Sequence, residues 1–268
     1  MTAEYIKIGK CIWCQNEKPL VSFLNQPHTI SKMIGGTYIG FDICDSCNSY
    51  FGKTDKSMKY PMSVELAFKE IFNVTRHLFL DLSEKQKGNN QILRSIYFEY
   101  YKSHKTFVIK KKFELKLNFI KDFTRQFKKG VYEVFLQEFH RNTGLGLDSK
   151  FDRIRKFVRY DKGDLPIYFA DNNGIYLVPV DVDIPILAFG EHNISPINDF
   201  GFYSIYLFGH ILYLEVTPRA ELTREIYLKN EAKHIVGSGF INKSIREMIY
   251  ITDLDFTLQK LLKLRTKQ

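Results

Sequence analysis

All four cysteines of this 268-residue chain fall in one stretch, CIWCQNEKPLVSFLNQPHTISKMIGGTYIGFDICDSCNSYFG, residues 11–52. They form two C-x-x-C pairs, Cys11–Cys14 and Cys44–Cys47. A C-x-x-C turn lets both thiolates reach one ion at about 2.3 Å, and two such turns close a tetrahedron with no open position. The chemistry predicted for the four cysteines is therefore a structural Zn²⁺ site that cannot activate water. Other residues must supply any catalysis, and two polar side chains are placed to do so. His28 lies between the pairs and Asn48 directly follows the last cysteine.

The elements around them follow from local signals. FLNQPHTI reads as a strand carrying His28, Gly35–Gly36 as a turn, TYIGFDIC as a returning strand, and NSYFGKTDK as the start of a helix carrying Asn48. A strand, turn, strand and helix clamped at each end by a knuckle would bring His28 and Asn48 together. Trp13, inside the first knuckle, is expected to pack against the module.

Together Cys11, Cys14, His28, Ile30, Lys32, Gly35, Gly36, Cys44, Cys47, Asn48, Phe51 and Gly52 carry a resemblance. Over residues 8–58 the chain resembles the HNH endonuclease family, in its branch with a four-cysteine zinc knuckle and a ββα-metal, treble-clef-like fold. The resemblance implies that His28 is the general base acting on water, and that Asn48 is a ligand of a catalytic divalent ion, Mg²⁺ or Mn²⁺. The family places an acidic residue or a histidine directly before the first histidine, where this chain has Pro27. The family's middle asparagine falls near Ile39. Asp42 and Asp55 are the carboxylates whose positions suit them to replace the missing ligand, with Asn25 a further candidate. Lys32 is expected to meet the DNA.

Net charge is +9, and it is concentrated. Residues 101–162 hold 17 Lys and Arg against 7 Asp and Glu, while the remainder holds 22 against 23. Such a block suggests a polyanionic partner, nucleic acid before others, and the resemblance implies double-stranded DNA. Within it, Arg153, Arg155, Lys156, Arg159 and Lys162 flank an apolar side made by Phe151, Ile154, Phe157 and Val158, and they are the DNA-binding candidates; a solvated helix face fits the same pattern. No apolar run approaches the ~18 residues of a membrane span, and MTAEYIKIGK has no apolar signal region, so no membrane is expected and the location is expected to be cytoplasmic. Reduced thiols in that compartment favour metal over disulfides.

Beyond the module the chain reads as α+β. The expected units are residues 1–60, a zinc-bound HNH-like nuclease module, and residues 61–268, a helical then β-rich domain that positions and recognises DNA, with a sub-boundary near 163. Ser63 caps a helix carrying Val64, Phe68, Ile71 and Phe72, and a second helix is read over 92–101. FELKL, residues 113–117, alternates like a short strand. Phe119, Phe123, Phe127, Val131, Phe135 and Phe139 make a long helical stripe ending near Gly144, and another helix fits 149–160. Strands follow around a turn at Asn172–Gly174 and in a hairpin broken at Gly209, then a strand at MIYIT and a basic C-terminal helix. The function expected is a metal-dependent DNA endonuclease of restriction or phage-defence type. A palindromic target would call for a two-fold homodimer. The alternatives are a non-catalytic zinc-stabilised nucleic-acid-binding protein with a degenerate HNH module, and an interaction protein whose β segment binds a ligand.

Overall fold

The computed structural model describes residues 4–54, 61–72, 92–96, 98–101, 103–104, 106–110, 117–171, 185–237 and 244–254. The architecture is mixed: helices pack with two antiparallel sheets. Its axis is α3, Leu117–Thr143. Phe119, Phe123, Phe127, Val131, Phe135 and Phe139 recur every four residues and are all buried, as their spacing predicts. Over residues 126–140 neighbours cover the other faces of α3 as well, so Lys128, Lys129, Glu133, Gln137, Glu138 and His140 are also buried. The left-handed φ of +75° at Gly144 ends the helix.

Around α3 the core is one apolar cluster. It runs from Trp13, Phe23 and Phe51 of the cysteine module through α2 (64–72) to the C-terminal sheet. Ser63 caps α2, its hydroxyl accepting from the Leu66 amide at 3.1 Å. Phe72 of α2 packs on Phe127, and Phe135 on Tyr203. Gly130 lets α2 and α3 close up, because a Cβ there would lie 2.7 Å from Phe68 Cβ and 3.2 Å from the Val64 carbonyl.

The described residues of 92–101 form no helix. They are β1 (Ile92–Arg94) and β2 (Phe98–Tyr101), which pair antiparallel, and β3 (Thr106–Ile109) adds to β2. The aromatic spacing that mimics a helix also alternates as a strand does, and Phe98, Tyr100 and their partners Ile109 and Phe107 suit a sheet. Glu70 of α2 anchors the turn by accepting from the Ile96 amide at 2.8 Å. The second sheet has the order β5-β6-β4-β7, from β4 (Ile167–Asp171), β5 (Phe202–Leu207), β6 (His210–Glu215) and β7 (Ser244–Glu247). The expected β5–β6 hairpin turns at Phe208–Gly209, both at positive φ, the form that matches strand twist. The last strand is not MIYIT but the four residues before Met248, which pair with β4 from Asp171↔Ser244 to Tyr168↔Glu247. α5 (Glu191–Asp199) precedes β5, and α6 (Ala220–Gly237) packs Tyr227 on Phe202. Tyr132 ties α3 to the sheet, donating to the Pro166 carbonyl at 2.6 Å and accepting from the Glu215 amide at 3.1 Å. Of the strand expected at 113–117, Leu117 begins α3 instead and the other four residues lie outside the described residues, as do the turn at Asn172–Gly174 and the C-terminal helix from 255. Among the described residues, no helix is long and apolar enough to cross a membrane.

Candidate metal sites of the cysteine module

The four cysteine sulfurs lie within 4.8 Å of one another, so the chain positions them to bind a metal ion. Cys14 and Cys44 Sγ are 3.7 Å apart, which matches the edge of about 3.8 Å in a tetrahedron with bonds of about 2.3 Å. Cys44 precedes α1 (Asp45–Gly52) and Cys47 lies in its first turn. The first knuckle turns at Gln15, whose φ is +61°. Trp13 is fully buried and packs edge-on against Phe51 at 4.9 Å, as expected. The crowded sulfurs compete for protons. Sharing with Cys44 pushes the Cys11 thiol up to about 12, and sharing with Cys11 and Cys44, together with burial, raises Cys47. Cys44 is lowered because Cys11 and Cys47 donate to it. A cation seated among them must displace those protons, which is the condition for a thiolate site.

His28 is set by the returning chain. The two expected strands are reduced to one antiparallel bridge, His28↔Ile39. Thr29 N donates to the Tyr38 carbonyl at 3.2 Å and Gly40 N to the Pro27 carbonyl at 2.7 Å. Pro27 has no amide to extend the pairing. Between them a 3-10 turn, Lys32–Ile34, is capped by Ser31, and Gly36 presses so close to Ile30 that a Cβ would overlap the Ile30 carbonyl. Asp45 pins the approach to His28, accepting from the amides of Leu24 and Asn25 and from Ser22.

His28 and Asn48 both line one cavity of about 250 Å³. Lys32 is at its exposed rim; Gln26, Thr29, Ser31, Glu65, Phe68, Gly130, Glu133 and Val134 complete the wall. His28 Nδ1 is buried without a hydrogen-bond partner, and the side chain of the residue opposite, Ile39, has no polar atom. Burial, with a smaller contribution from the Lys32 charge, lowers the His28 pKa, so the imidazole is neutral near pH 7.

Asp42 is not at this cavity. It is fully buried, at a φ of +57°, and its carboxylate accepts from the amides of Lys7 (3.1 Å), Ile8 (2.8 Å) and Gly9 (2.7 Å). His140 Nε2 lies 3.0 Å away, and Nδ1 of that ring accepts from Gly146 N, which leaves the proton on Nε2 to donate to Asp42. Burial works to raise the Asp42 pKa, but His140 and the three amides outweigh it and hold the group below the usual range. A carboxylate with every partner already protein is a fold anchor, not a metal ligand. Asp55 lies outside the described residues. Asn25 is exposed, away from the cavity wall.

The basic candidates divide. Arg155 is 3% exposed and is not a surface cation. Its Nε donates to the Ile12 carbonyl at 2.7 Å, and its other nitrogens reach the carbonyls of Gly146 and Asp148 and the Asp152 carboxylate. It therefore fastens α4 (Asp152–Tyr160) to the first knuckle. Arg159 also faces the module, donating to Cys47 Sγ at 3.3 Å and lying over the Tyr50 ring. Arg153 pairs with Glu221 at 2.8 Å. Lys156 and Lys162 are exposed. Much of the basic excess is spent internally as well: Arg125 and Lys129 pair with Asp161, and Lys128 with Asp164. A periodic run of cations does not tell a docked face from a solvated one.

Glu65 and Glu133 were not singled out by the sequence, since neither sits in a motif. Glu65, in the first turn of α2, lies close to Gly52, whose Cβ would be 3.5 Å from Glu65 Oε2. Gly52 is one turn along α1 from Asn48, so the carboxyl sits beside the Asn48 face. Glu65 is exposed as a residue, but desolvation of its carboxyl against the cavity wall raises its pKa, against the charge of Lys69. Glu133 is 5% exposed; burial first, then the neighbouring Glu65, push it well above the usual carboxylate range, against a hydrogen bond from Gln137 at 2.9 Å. Compared with known proteins, the chain matches no family model, no curated protein and no solved structure.

Proposed function

We propose that this chain is a metal-dependent DNA endonuclease, an HNH-type hydrolase of phosphodiester bonds, with its active centre in the His28–Asn48 cavity. The observation that carries this reading is the convergence of His28 and Asn48 on one cavity, with the imidazole kept neutral by burial. The four cysteines hold a structural Zn²⁺ that fixes both ends of the segment carrying His28 and the start of α1 carrying Asn48. His28 takes the proton from a water that attacks phosphorus, and general-base catalysis of this kind contributes about 10²–10⁴-fold. Asn48 offers an amide oxygen, a donor that suits Mg²⁺ or Mn²⁺. The divalent ion supplies charge to offset the negative charge that develops on the phosphate and the leaving 3′ oxygen. Lys32 at the rim meets a phosphate oxygen, and the exposed Lys156 and Lys162 add to the cationic surface.

Cleavage of this type suits a restriction or phage-defence enzyme, with a homodimer for a palindromic site. The experiment is to offer plasmid and phage DNA to the zinc-loaded protein with Mg²⁺ or Mn²⁺, beside His28→Ala. Cutting by wild type alone supports the reading. Pro27, which leaves no ligand before His28, favours a second one, a zinc-stabilised protein that binds nucleic acid without cutting. Intact DNA held in a strongly salt-dependent complex selects that reading and overturns the first.

A further inference from the structure

The cavity wall holds two carboxylates from helices outside the cysteine module, and their surroundings are incomplete. We propose that Glu65 of α2 and Glu133 of α3, together with Asn48, hold a hydrated divalent cation beside His28, so that the metal centre is shared between the module and the helices that follow it. The ion's catalytic task rests on the nuclease reading above; its binding does not.

Four observations support this. Glu133 is 5% exposed, and among the described residues no lysine or arginine pairs with it; its hydrogen bond there is from Gln137, to one oxygen. A charged carboxylate taken from water without a cation is costly, and costlier beside a second carboxylate. Two lysines stand by the cavity without an ion pair to either glutamate among the described residues: Lys69, whose charge acts on Glu65, reaches Met33 Sδ at 3.2 Å, and Lys32 lies at the exposed rim. The arrangement is also built rather than incidental. Gly130 draws α3 onto α2 one turn before Glu133, and Gly52 leaves room for the Glu65 carboxyl beside the Asn48 face of α1. Finally, His28, whose Nδ1 is buried without a hydrogen-bond partner, lines the same cavity.

The donors are oxygens, which suit a hard cation. Among the described residues the four cysteines alone bring three or more His, Cys, Asp or Glu donors within 4.8 Å of one another, so the cavity donors are more widely set. Mg²⁺ and Mn²⁺ keep several waters and take one or two carboxylates directly, so they are the ions a wider set of oxygen donors can hold. The place left by Pro27 is thus filled from across the cavity, not from along the strand.

The test is Mn²⁺ titration of zinc-loaded protein, read by the loss of the free-ion paramagnetic resonance signal and by the Mn²⁺-dependent rise in Tm. Wild type and His28→Ala are expected to bind one Mn²⁺, and Glu133→Gln and Glu65→Gln to bind it about tenfold or more weakly with the Tm rise lost. Both variants keep the side-chain shape, and without Mn²⁺ Glu133→Gln should melt no lower than wild type, which separates a lost ligand from a lost fold. Absence of Mn²⁺ binding in wild type, or unchanged binding in both Gln variants, overturns the proposal. Glutamate-dependent Mn²⁺ binding by a protein that cuts no DNA leaves this site standing and removes the nuclease reading. DNA cutting that survives both Gln variants with unchanged Mn²⁺ binding does the reverse.

Discussion

Asp42 and Glu133 are both buried carboxylates, and what surrounds each decides its role. Asp42 has three amides and the His140 ring; Glu133 has one amide side chain and a second carboxylate nearby. Asp42→Asn is expected to destabilise the zinc-loaded protein by about 2–4 kcal/mol at pH 7 in urea unfolding, because buried donors lose a charged acceptor. The Asp42 pKa is depressed by folding, so its contribution is full above the unfolded value of about 3.8 and fades as pH falls through the lower folded value. The gap between wild type and variant should close over that acid range. Arg155→Ala should cost about 2–4 kcal/mol by the same measurement, since it strands the Ile12 and Gly146 carbonyls, whereas Lys156→Ala should change stability by less than about 0.5 kcal/mol. The sequence made His28, Asn48 and the four cysteines legible because their spacing within one short module implies their geometry. It could not separate Arg155 from Lys156, two neighbours in one basic run, because burial is decided by α4 docking on a knuckle more than a hundred residues earlier.

Elements show the same division between local and long-range information. The α3 stripe, the Ser63 cap and the β5–β6 hairpin are local patterns and are found where the periodicity predicts them. Residues 92–101 are not, because an aromatic segment that fits both periods takes its form from the neighbour it pairs with, here β3. Glu65 and Glu133 escaped notice for a related reason: their meeting depends on α2 packing against α3 at Gly130, which no spacing in the chain announces. Gly130→Ala should push these helices apart, lowering stability by about 1–3 kcal/mol and weakening Mn²⁺ binding together. His210, at the start of β6 and edge-on to Phe72, offers a pH test of this packing. Burial lowers its pKa to about 4, below the unfolded value of about 6.5. Stability should therefore be full above about pH 6.5 and fall as pH drops toward 4, by about 3 kcal/mol in all. His210→Leu should flatten that slope in Tm measured against pH.

The whole molecule joins the cysteine site and the His28 cavity through one core. The apolar cluster passes from Trp13 and Phe51 to α2, α3 and the sheet, and Glu138 of α3 grips the His28 segment by accepting from Thr29 and from Arg141, which in turn covers Tyr38. The cysteine site thereby supports the position of His28, Asn48 and the two glutamates at once. Removing the zinc with a strong chelator should abolish Mn²⁺ binding and DNA cutting together, and zinc added back should restore both. The central claim is that the His28 cavity hydrolyses DNA, and single-turnover cleavage tests it most directly. With Mg²⁺ or Mn²⁺ and saturating zinc-loaded protein, wild type is expected to cut, leaving 5′-phosphate ends, and His28→Ala to cut about 10²–10⁴-fold more slowly while binding DNA equally well. Equal rates for the two proteins, or no cutting by wild type, would contradict it.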